Sequence, residues 1–252
     1  MKNQNELSNS IIRLSNIMDK LRIECPWDKE QTMNSLRHLT IEETYELSDA
    51  IISGDFNEIK NELGDLLLHI VFYSKIASET NLFNFNDVIN SICDKLIIRH
   101  PHIYDKLNVN NINDVKKNWE LIKLKNGSKG VLSGVSSRLP SLIKAMRIQE
   151  KVSGVGFKWD KPSDYLNKLV EEINEFEVES NKSDSQKMEN EFGDILFSLI
   201  SYANFRNINC DKALEITNNK FIDRFNYIEK NNSDLYKMSQ NELLKHWEKS
   251  KN

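Results

Sequence analysis

The chain contains two copies of one acidic motif, and this duplication constrains its fold more than any other feature. IEETYEL (41–47) precedes NELGDLLLHIVFY (61–73), and the pair recurs as VEEINEF (170–176) and NEFGDILFSLISY (190–202). The starting positions move from 41 to 170 and from 61 to 190, so one offset of 129 residues relates both segments without a gap. A constant offset of this length indicates internal duplication.

The segment between the two copies predicts the domain organisation. KNGSKGVLSGVSSRLP (125–140) is rich in Gly and Ser and ends in Pro140, a composition typical of a linker. We therefore predict an N-terminal module at 1–124, a linker at 125–140 and a C-terminal module at 141–252.

Hydrophobic periodicity predicts an all-α fold. Apolar residues recur at spacings of three and four in 11–21 and again in 63–71, as on one face of a helix. Strictly alternating runs of β-branched residues, the pattern of a half-buried strand, are missing from the sequence. Each module is expected to be a bundle of about four helices with short loops.

Composition excludes several classes of protein. The net charge is −4 and no half carries a basic block, which argues against nucleic acid as a partner. No segment reaches the run of about 18 apolar residues that a membrane span needs. The three cysteines are far apart and form no disulfide framework, so we expect a reduced cytoplasm and no membrane association.

The acidic residues of each copy fall at helical spacing. Glu43 and Glu46 are three residues apart, as are Glu62 and Asp65, so each pair shares a helix face. A short turn near Gly54 would join two antiparallel helices and bring the pairs together. The second copy repeats this arrangement with Glu171, Glu172, Glu175, Glu191 and Asp194.

Such converging carboxylates predict a cation site. Ionised carboxylates near an apolar core repel one another, and either protons or hard divalent cations relieve the repulsion. Oxygen-only ligands suit Mg²⁺, with Mn²⁺ as a possible substitute. The alternative is an ordinary solvated helix face, but unchanged repetition beside diverged loops favours the site. A di-iron bundle needs Glu-x-x-His, and the positions three after Glu43 and Glu62 are acidic instead.

Cationic and aromatic residues are duplicated as well. Lys220 and Arg224 are four residues apart on one helix and correspond to Lys95 and Arg99 in the first copy. These cations suit the outer phosphates of a nucleotide, although solvation at the surface is the alternative. Trp247 is an amphipathic plate that can stack on a base or pack in the protein interior. Trp27, Trp119 and Trp159 present the same two alternatives.

The two acidic motifs, CPWD (25–28) and the bridge GVLSGVSSRLPSLIKAMRIQEKVSGVGFKWD (130–160) together resemble the MazG family of nucleoside triphosphate pyrophosphohydrolases. The resemblance covers essentially the whole chain. It implies an all-α fold related to dimeric dUTPases, assembly as a homodimer, and Mg²⁺-dependent hydrolysis of nucleoside triphosphates to a monophosphate and pyrophosphate. By this resemblance, the metal ligands are Glu172, Glu175, Glu191 and Asp194. The nucleotide site is lined by Lys168, Glu171, Glu172, Lys187, Asn190, Lys220, Arg224 and Trp247.

The second module is the main catalytic candidate. Lys168 and Lys187 correspond to Leu39 and Glu58 in the first module, and a triphosphate of about four negative charges is better matched by the lysines. Either Glu171 or Glu172 could orient or deprotonate the attacking water. Glu43, Glu46, Glu62 and Asp65 form a possible second metal set in the first module.

Two other functions are compatible with the acidic motif. One is a phosphohydrolase that acts on a different nucleotide, such as a signalling nucleotide. The other is a non-catalytic regulatory protein whose acidic helices bind Mg²⁺ or a nucleotide without turnover. The products formed from a nucleoside triphosphate distinguish these alternatives.

Overall fold

The structure, a computed structural model, consists of helices and loops wherever it is described. It describes residues 2–105, 107–109, 111, 114–115, 118–119, 122, 130–182, 184–232 and 235–251, and no strand occurs in these ranges. The chain divides into two compact units, Met1–Asn108 and Val109–Asn252. The predicted all-α class is thus confirmed. Residues 125–129 of the predicted linker lie outside the described ranges.

Both units are built from α-helices. In the first unit the helices are α1 (Lys2–Glu24), α2 (Pro26–Glu30), α3 (Met33–Ser53), α4 (Phe56–Glu79), α5 (Phe85–Arg99) and α6 (Pro101–Tyr104). In the second unit they are α7 (Ser141–Gly154), α8 (Pro162–Lys182), α9 (Ser185–Phe205), α10 (Cys210–Asn231) and α11 (Gln240–Lys249). Short 3₁₀ turns occupy Val131–Gly134 and Leu235–Lys237.

The acidic helices of the first unit form an antiparallel hairpin. Helix α3 ends because Gly54 adopts a left-handed backbone conformation (φ 77°), and its N–H donates to the Ala50 carbonyl oxygen at 3.0 Å. The next helix begins at once, since the Asp55 side chain accepts from the Asn57 N–H at 2.9 Å. The predicted turn at this position is therefore present.

The second unit repeats the hairpin with α8 and α9. Asp184 caps α9 by accepting from the Lys187 N–H at 3.2 Å, as Asp55 caps α4. Helices α8 and α9 pack along one another, as α3 and α4 do. The hairpin is thus present in both units.

The core of the first unit lies between α1, α3 and α4. Met18, Leu36, Val71 and Phe72 are almost completely buried there and contact one another. Leu39 and Leu68 pack against this core, together with Leu14, Tyr73, Ile76 and Phe85. Burial of such side chains contributes about 1.5–3 kcal/mol each to folding.

Arg22 connects the end of α1 to α2 and α4. Its guanidinium forms a bidentate pair with Glu79, with N···O distances of 2.7 and 3.0 Å. It also donates to the carbonyl oxygens of Asp28, Lys29 and Gln31, which satisfies the C-terminal end of the short α2. The hydrogen bond from Arg22 holds the pKa of Glu79 below its usual value.

Candidate active site

Each hairpin brings three carboxylates together. In the second unit these are Glu172, Glu175 and Glu191, and one carboxylate oxygen of each lies within 4.8 Å of the others. The first unit has the corresponding group at the offset of 129 residues, formed by Glu43, Glu46 and Glu62. One carboxylate oxygen of each of these residues also lies within 4.8 Å of the others. We call these groups the second and the first carboxylate trio. The structure therefore brings together the acidic pairs that the sequence placed on facing helices.

The fourth acidic residue of each set lies beside its trio. Asp194 borders the cavity next to Glu172, and its negative charge contributes to raising the pKa of Glu191. Asp65 acts in the same way on Glu43 in the first unit. Both residues are thus electrostatically coupled to the trios without belonging to the tight groups of three.

The trios are electrostatically unfavourable when fully ionised. Burial is the main cause that raises the pKa of Glu191, and the charges of Glu175, Asp194 and Glu172 raise it further. In the first unit the pKa of Glu43, Glu46 and Glu62 is raised, with burial again the largest cause and neighbouring acids contributing. Protons or a cation would relieve this repulsion.

The ligands of both trios fit a hard divalent cation. Every donor is a carboxylate oxygen, which is the ligand type that Mg²⁺ and Mn²⁺ prefer. Glu62 is buried, and its Oε2 has no hydrogen-bond partner within the described part of the chain. A buried carboxylate oxygen without a partner is costly, so its position beside two further carboxylates suits cation binding.

Lys168 distinguishes the two sites. Its Nζ lies 2.8 Å from a carboxylate oxygen of Glu171 and 2.8 Å from one of Glu172, and these two hydrogen bonds raise the pKa of the lysine. The corresponding residue of the first unit, Leu39, packs against the hydrophobic core instead. Only the second trio therefore has this cation beside it.

Lys187 and Asn190 lie in the first two turns of α9. The Lys187 Nζ is 3.5 Å from Asp184 and 3.9 Å from Glu179, and among the described residues it forms no ion pair with the trio. Asn190 Oδ1 accepts a long hydrogen bond of 3.5 Å from Gln186. The carboxylates of Asp184 and Glu179 thus hold the Lys187 ammonium near the N-terminus of α9. The sequence spacing does not reveal this pairing.

The remaining predicted nucleotide residues form a group on α10 and α11. The Arg224 guanidinium lies 5.8 Å from the Trp247 ring centroid, and Phe221 packs on the same ring at 4.8 Å. Lys220 is exposed one turn before Arg224 on α10. None of Lys220, Arg224 and Trp247 lines the cavity beside Glu172.

A cavity of about 370 Å³ opens next to the second trio, between α7, α8 and α9. Glu172, Asp194 and Lys168 form its acidic and basic border. Aromatic walls come from Phe157, Trp159, Tyr165 and Phe197. Gln149, Ser198 and Ser201 contribute buried polar side chains.

Sequence reasoning missed most of this cavity, although a signal was present. Ser198 and Ser201 stand where the apolar face of α9 would carry large residues, and their counterparts in the first unit are His69 and Phe72. Such small polar residues on a core face indicate space beside the helix. Gln149 gave no comparable signal, since no residue spacing relates it to the acidic motifs.

Comparison with known proteins agrees with the duplicated site. The sequence model of the MazG nucleotide pyrophosphohydrolase domain matches the chain twice, at residues 31–104 and 160–228. The chain belongs to the MazG family. Each match contains one complete carboxylate trio, so family membership confirms both the resemblance and the tandem modules. It also confirms the predicted enzyme class, a nucleotide pyrophosphohydrolase.

Relatives from several bacteria align with most of the chain. A nucleoside triphosphate pyrophosphohydrolase of Escherichia coli K12 is 39% identical over 231 residues, which is 88% of each protein. The nucleoside triphosphate pyrophosphohydrolase/pyrophosphatase MazG of Thermotoga maritima is 38% identical over 94% of each. The Bacillus subtilis protein YabN is 41% identical over 90% of this chain but only 48% of its own length.

No helix within the described ranges is both long enough and apolar enough to cross a membrane.

Proposed function

We propose that the second unit hydrolyses nucleoside and deoxynucleoside triphosphates to a monophosphate and pyrophosphate in the presence of Mg²⁺. The observation that carries this proposal is the second trio, with three carboxylate oxygens within 4.8 Å of one another and a lysine at its border. The relatives from Escherichia coli and Thermotoga maritima, which are named nucleoside triphosphate pyrophosphohydrolases, support the substrate class.

Glu172, Glu175, Glu191 and Asp194 would hold the cation. When bound, Mg²⁺ or Mn²⁺ supplies positive charge that neutralises phosphate oxygens and makes a nearby water more acidic. The carboxylates of Glu171 and Glu172 are the candidates to orient that water or to accept its proton. Glu171 is the more exposed of the two, and its contact with Lys168 fixes its position.

The proposed reaction is a simple hydrolysis. The water oxygen forms a bond to the α-phosphorus, and the bond from this phosphorus to the oxygen that bridges to the β-phosphate breaks. Pyrophosphate leaves with the bridging oxygen, and the proton of the water passes to a carboxylate. Lys168 can offer its charge to a phosphate oxygen, since its Nζ already lies among carboxylate oxygens at the border of the cavity.

The other cations are assigned to the outer phosphates. Lys187 and Asn190 lie at the start of α9, and Lys220 and Arg224 share one face of α10. Trp247 holds the Arg224 guanidinium over its ring, which positions this cation. We assign these residues to substrate binding on the strength of the family resemblance.

The first unit is proposed to be structural or weakly active. It keeps the trio of Glu43, Glu46 and Glu62, and Asp65 beside it, as a possible second metal set. However, its counterpart of Lys168 is Leu39, which lies against the hydrophobic core. Without this lysine, the first trio has less positive charge to offer a triphosphate.

A homodimer in the cytoplasm is the proposed form of the protein. One face of α9 exposes apolar side chains, since between 44% and 51% of the surface of Phe192, Leu196 and Leu199 is accessible. An exposed apolar face of this kind is unusual for a monomeric protein. A second copy would cover such a face. Sedimentation that gives the mass of a single chain would contradict this assembly.

The three free cysteines are consistent with a reducing compartment.

A product assay tests the proposed function. Incubation of the full chain with each nucleoside triphosphate and Mg²⁺ should release one pyrophosphate for each monophosphate, and removal of Mg²⁺ with EDTA should abolish the release. Release of single phosphates would favour a different phosphohydrolase. Saturable nucleotide binding without any product would favour the non-catalytic regulator.

A further inference from the structure

The cavity in the second unit has walls suited to a flat ring. Tyr165 is 3% exposed, and its hydroxyl donates to the Trp159 carbonyl oxygen at 3.2 Å, which holds the loop before α8 over the cavity. The Trp159 and Tyr165 rings meet edge to face at 4.9 Å. Phe157 is 80% exposed, so its ring is available for contact with a ligand.

The position of Phe157 is set by the backbone at the end of α7. Gly156 has a φ of +92°, its N–H donates to the Ser153 carbonyl oxygen, and the Phe157 N–H donates to the Val152 carbonyl oxygen. This pair of hydrogen bonds is a Schellman motif, which terminates the helix and fixes the residue that follows. The exposed ring therefore stands on a rigid turn at the rim of the cavity.

Three buried polar side chains line the cavity. Gln149, Ser198 and Ser201 are each between 7% and 9% exposed and line its wall. Their amide and hydroxyl atoms are not among the fully buried atoms of the described residues that lack a partner, so these groups remain accessible from the cavity. An amide and two hydroxyls in the wall of a cavity that aromatic side chains otherwise line suit a ligand with polar groups.

The first unit fills the corresponding space with its own core. At the offset of 129 residues, Tyr165 and Ser201 correspond to Leu36 and Phe72, which are 1% and 2% exposed and belong to the hydrophobic core. Phe197 likewise corresponds to Leu68, which packs against that core. The same hairpin thus supports a packed interior in one unit and a cavity in the other.

We propose that this cavity holds the nucleoside of the substrate, a proposal that rests on the proposed function. Gln149, Ser198 and Ser201 bind the polar groups of the nucleoside. Phe157 covers the face of the base. Glu172 and Asp194 border the cavity, so a nucleotide whose phosphates meet the second trio has its nucleoside beside these side chains. Arg224 and Trp247 do not line the cavity, and we assign this pair to the binding of the phosphates.

Binding of the two products tests this assignment, because one contains a nucleoside and the other does not. The affinities of AMP and of pyrophosphate, each with Mg²⁺, are measured by calorimetry on the full chain. Gln149→Met and Ser201→Ala should each weaken AMP binding by roughly three- to tenfold, the value of one hydrogen bond. Phe157→Leu should weaken it by about tenfold through loss of stacking. Pyrophosphate binding should not change.

Ser74→Ala is the matched control, because Ser74 is a buried helical serine of the first unit whose hydroxyl donates to the Ile70 carbonyl oxygen. It should leave both affinities unchanged. Wild-type AMP affinity in Gln149→Met and Ser201→Ala, a parallel loss of pyrophosphate binding, or no saturable AMP binding by the wild type would each overturn the assignment. If AMP binds as expected but no triphosphate yields pyrophosphate, the proposed function fails and the nucleoside cavity stands.

Discussion

Glu191→Gln should reduce the release of pyrophosphate from nucleoside triphosphates by about a thousandfold or more, the scale set by several kcal/mol of lost electrostatic stabilisation. Glu191 is the only member of the second trio that α9 supplies, so its loss removes one side of the proposed cation site. The substitution keeps the size of the side chain and removes only the charge. Steady-state rates of pyrophosphate release with saturating Mg²⁺ measure the effect.

The duplication provides a matched control for this variant. Glu62→Gln makes the same change at the corresponding position of the first trio and should retain most of the activity. Neither variant should unfold, because burial and neighbouring acids already raise the pKa of both carboxyl groups and so favour their neutral form. Equal losses in the two variants, or a larger loss in Glu62→Gln, would contradict the assignment of catalysis to the second unit.

Mg²⁺ should stabilise the protein against heat far more at neutral pH than at mildly acidic pH. The folded pKa of Glu191 lies above the ordinary value of 4.5, so the folded trio binds more protons than the unfolded chain between these two values. Without a cation, stability is therefore lost as pH rises through the folded pKa. At neutral pH the carboxylates of the trio are ionised, and a bound cation would neutralise their mutual repulsion. At acidic pH protons neutralise the carboxylates instead, so a cation adds less stability.

Thermal unfolding with and without Mg²⁺ measures this dependence. A Mg²⁺ concentration of about one hundred times the Kd at about pH 7.5 should stabilise the folded state at that pH by about 2.7 kcal/mol for each occupied site. The same Mg²⁺ concentration should raise Tm less at about pH 5. The first trio contributes as well, since the pKa of Glu43, Glu46 and Glu62 is raised too. The variant that combines Glu62→Gln with Glu191→Gln should lose most of the effect. An increase in Tm that is independent of pH would contradict this account.

The sequence predicted the hairpins because their determinants are local. Helical spacing sets which acids share a face, Gly54 supplies the left-handed residue that ends α3, and Asp55 and Asp184 cap the helices that follow. Since the chain reverses within a few residues, the facing of Glu43 with Glu62 follows from the loop length alone. The spacing of the acids and the capping aspartate are repeated at a constant offset, so they could be recognised twice.

The cavity could not be predicted in the same way, because it depends on three helices packed together. Whether Tyr165 encloses a space or fills a core is decided by its neighbours on α9, where Ser201 takes the place of Phe72. Lys187 illustrates the same limit, since its pairing with Asp184 and Glu179 reflects side-chain choice among nearby charges. Sequence spacing places such a residue on a helix but does not select its partner.

Direct counting of bound Mn²⁺ by electron paramagnetic resonance addresses the central electrostatic claim without reference to catalysis. The wild-type chain should show saturable binding, and the combined substitution of Glu172, Glu175 and Glu191 by glutamine should remove the sites that belong to the second unit. The same three changes at Glu43, Glu46 and Glu62 should leave those sites intact. Unchanged Mn²⁺ binding after neutralisation of the second trio would show that the clustered carboxylates do not hold a cation.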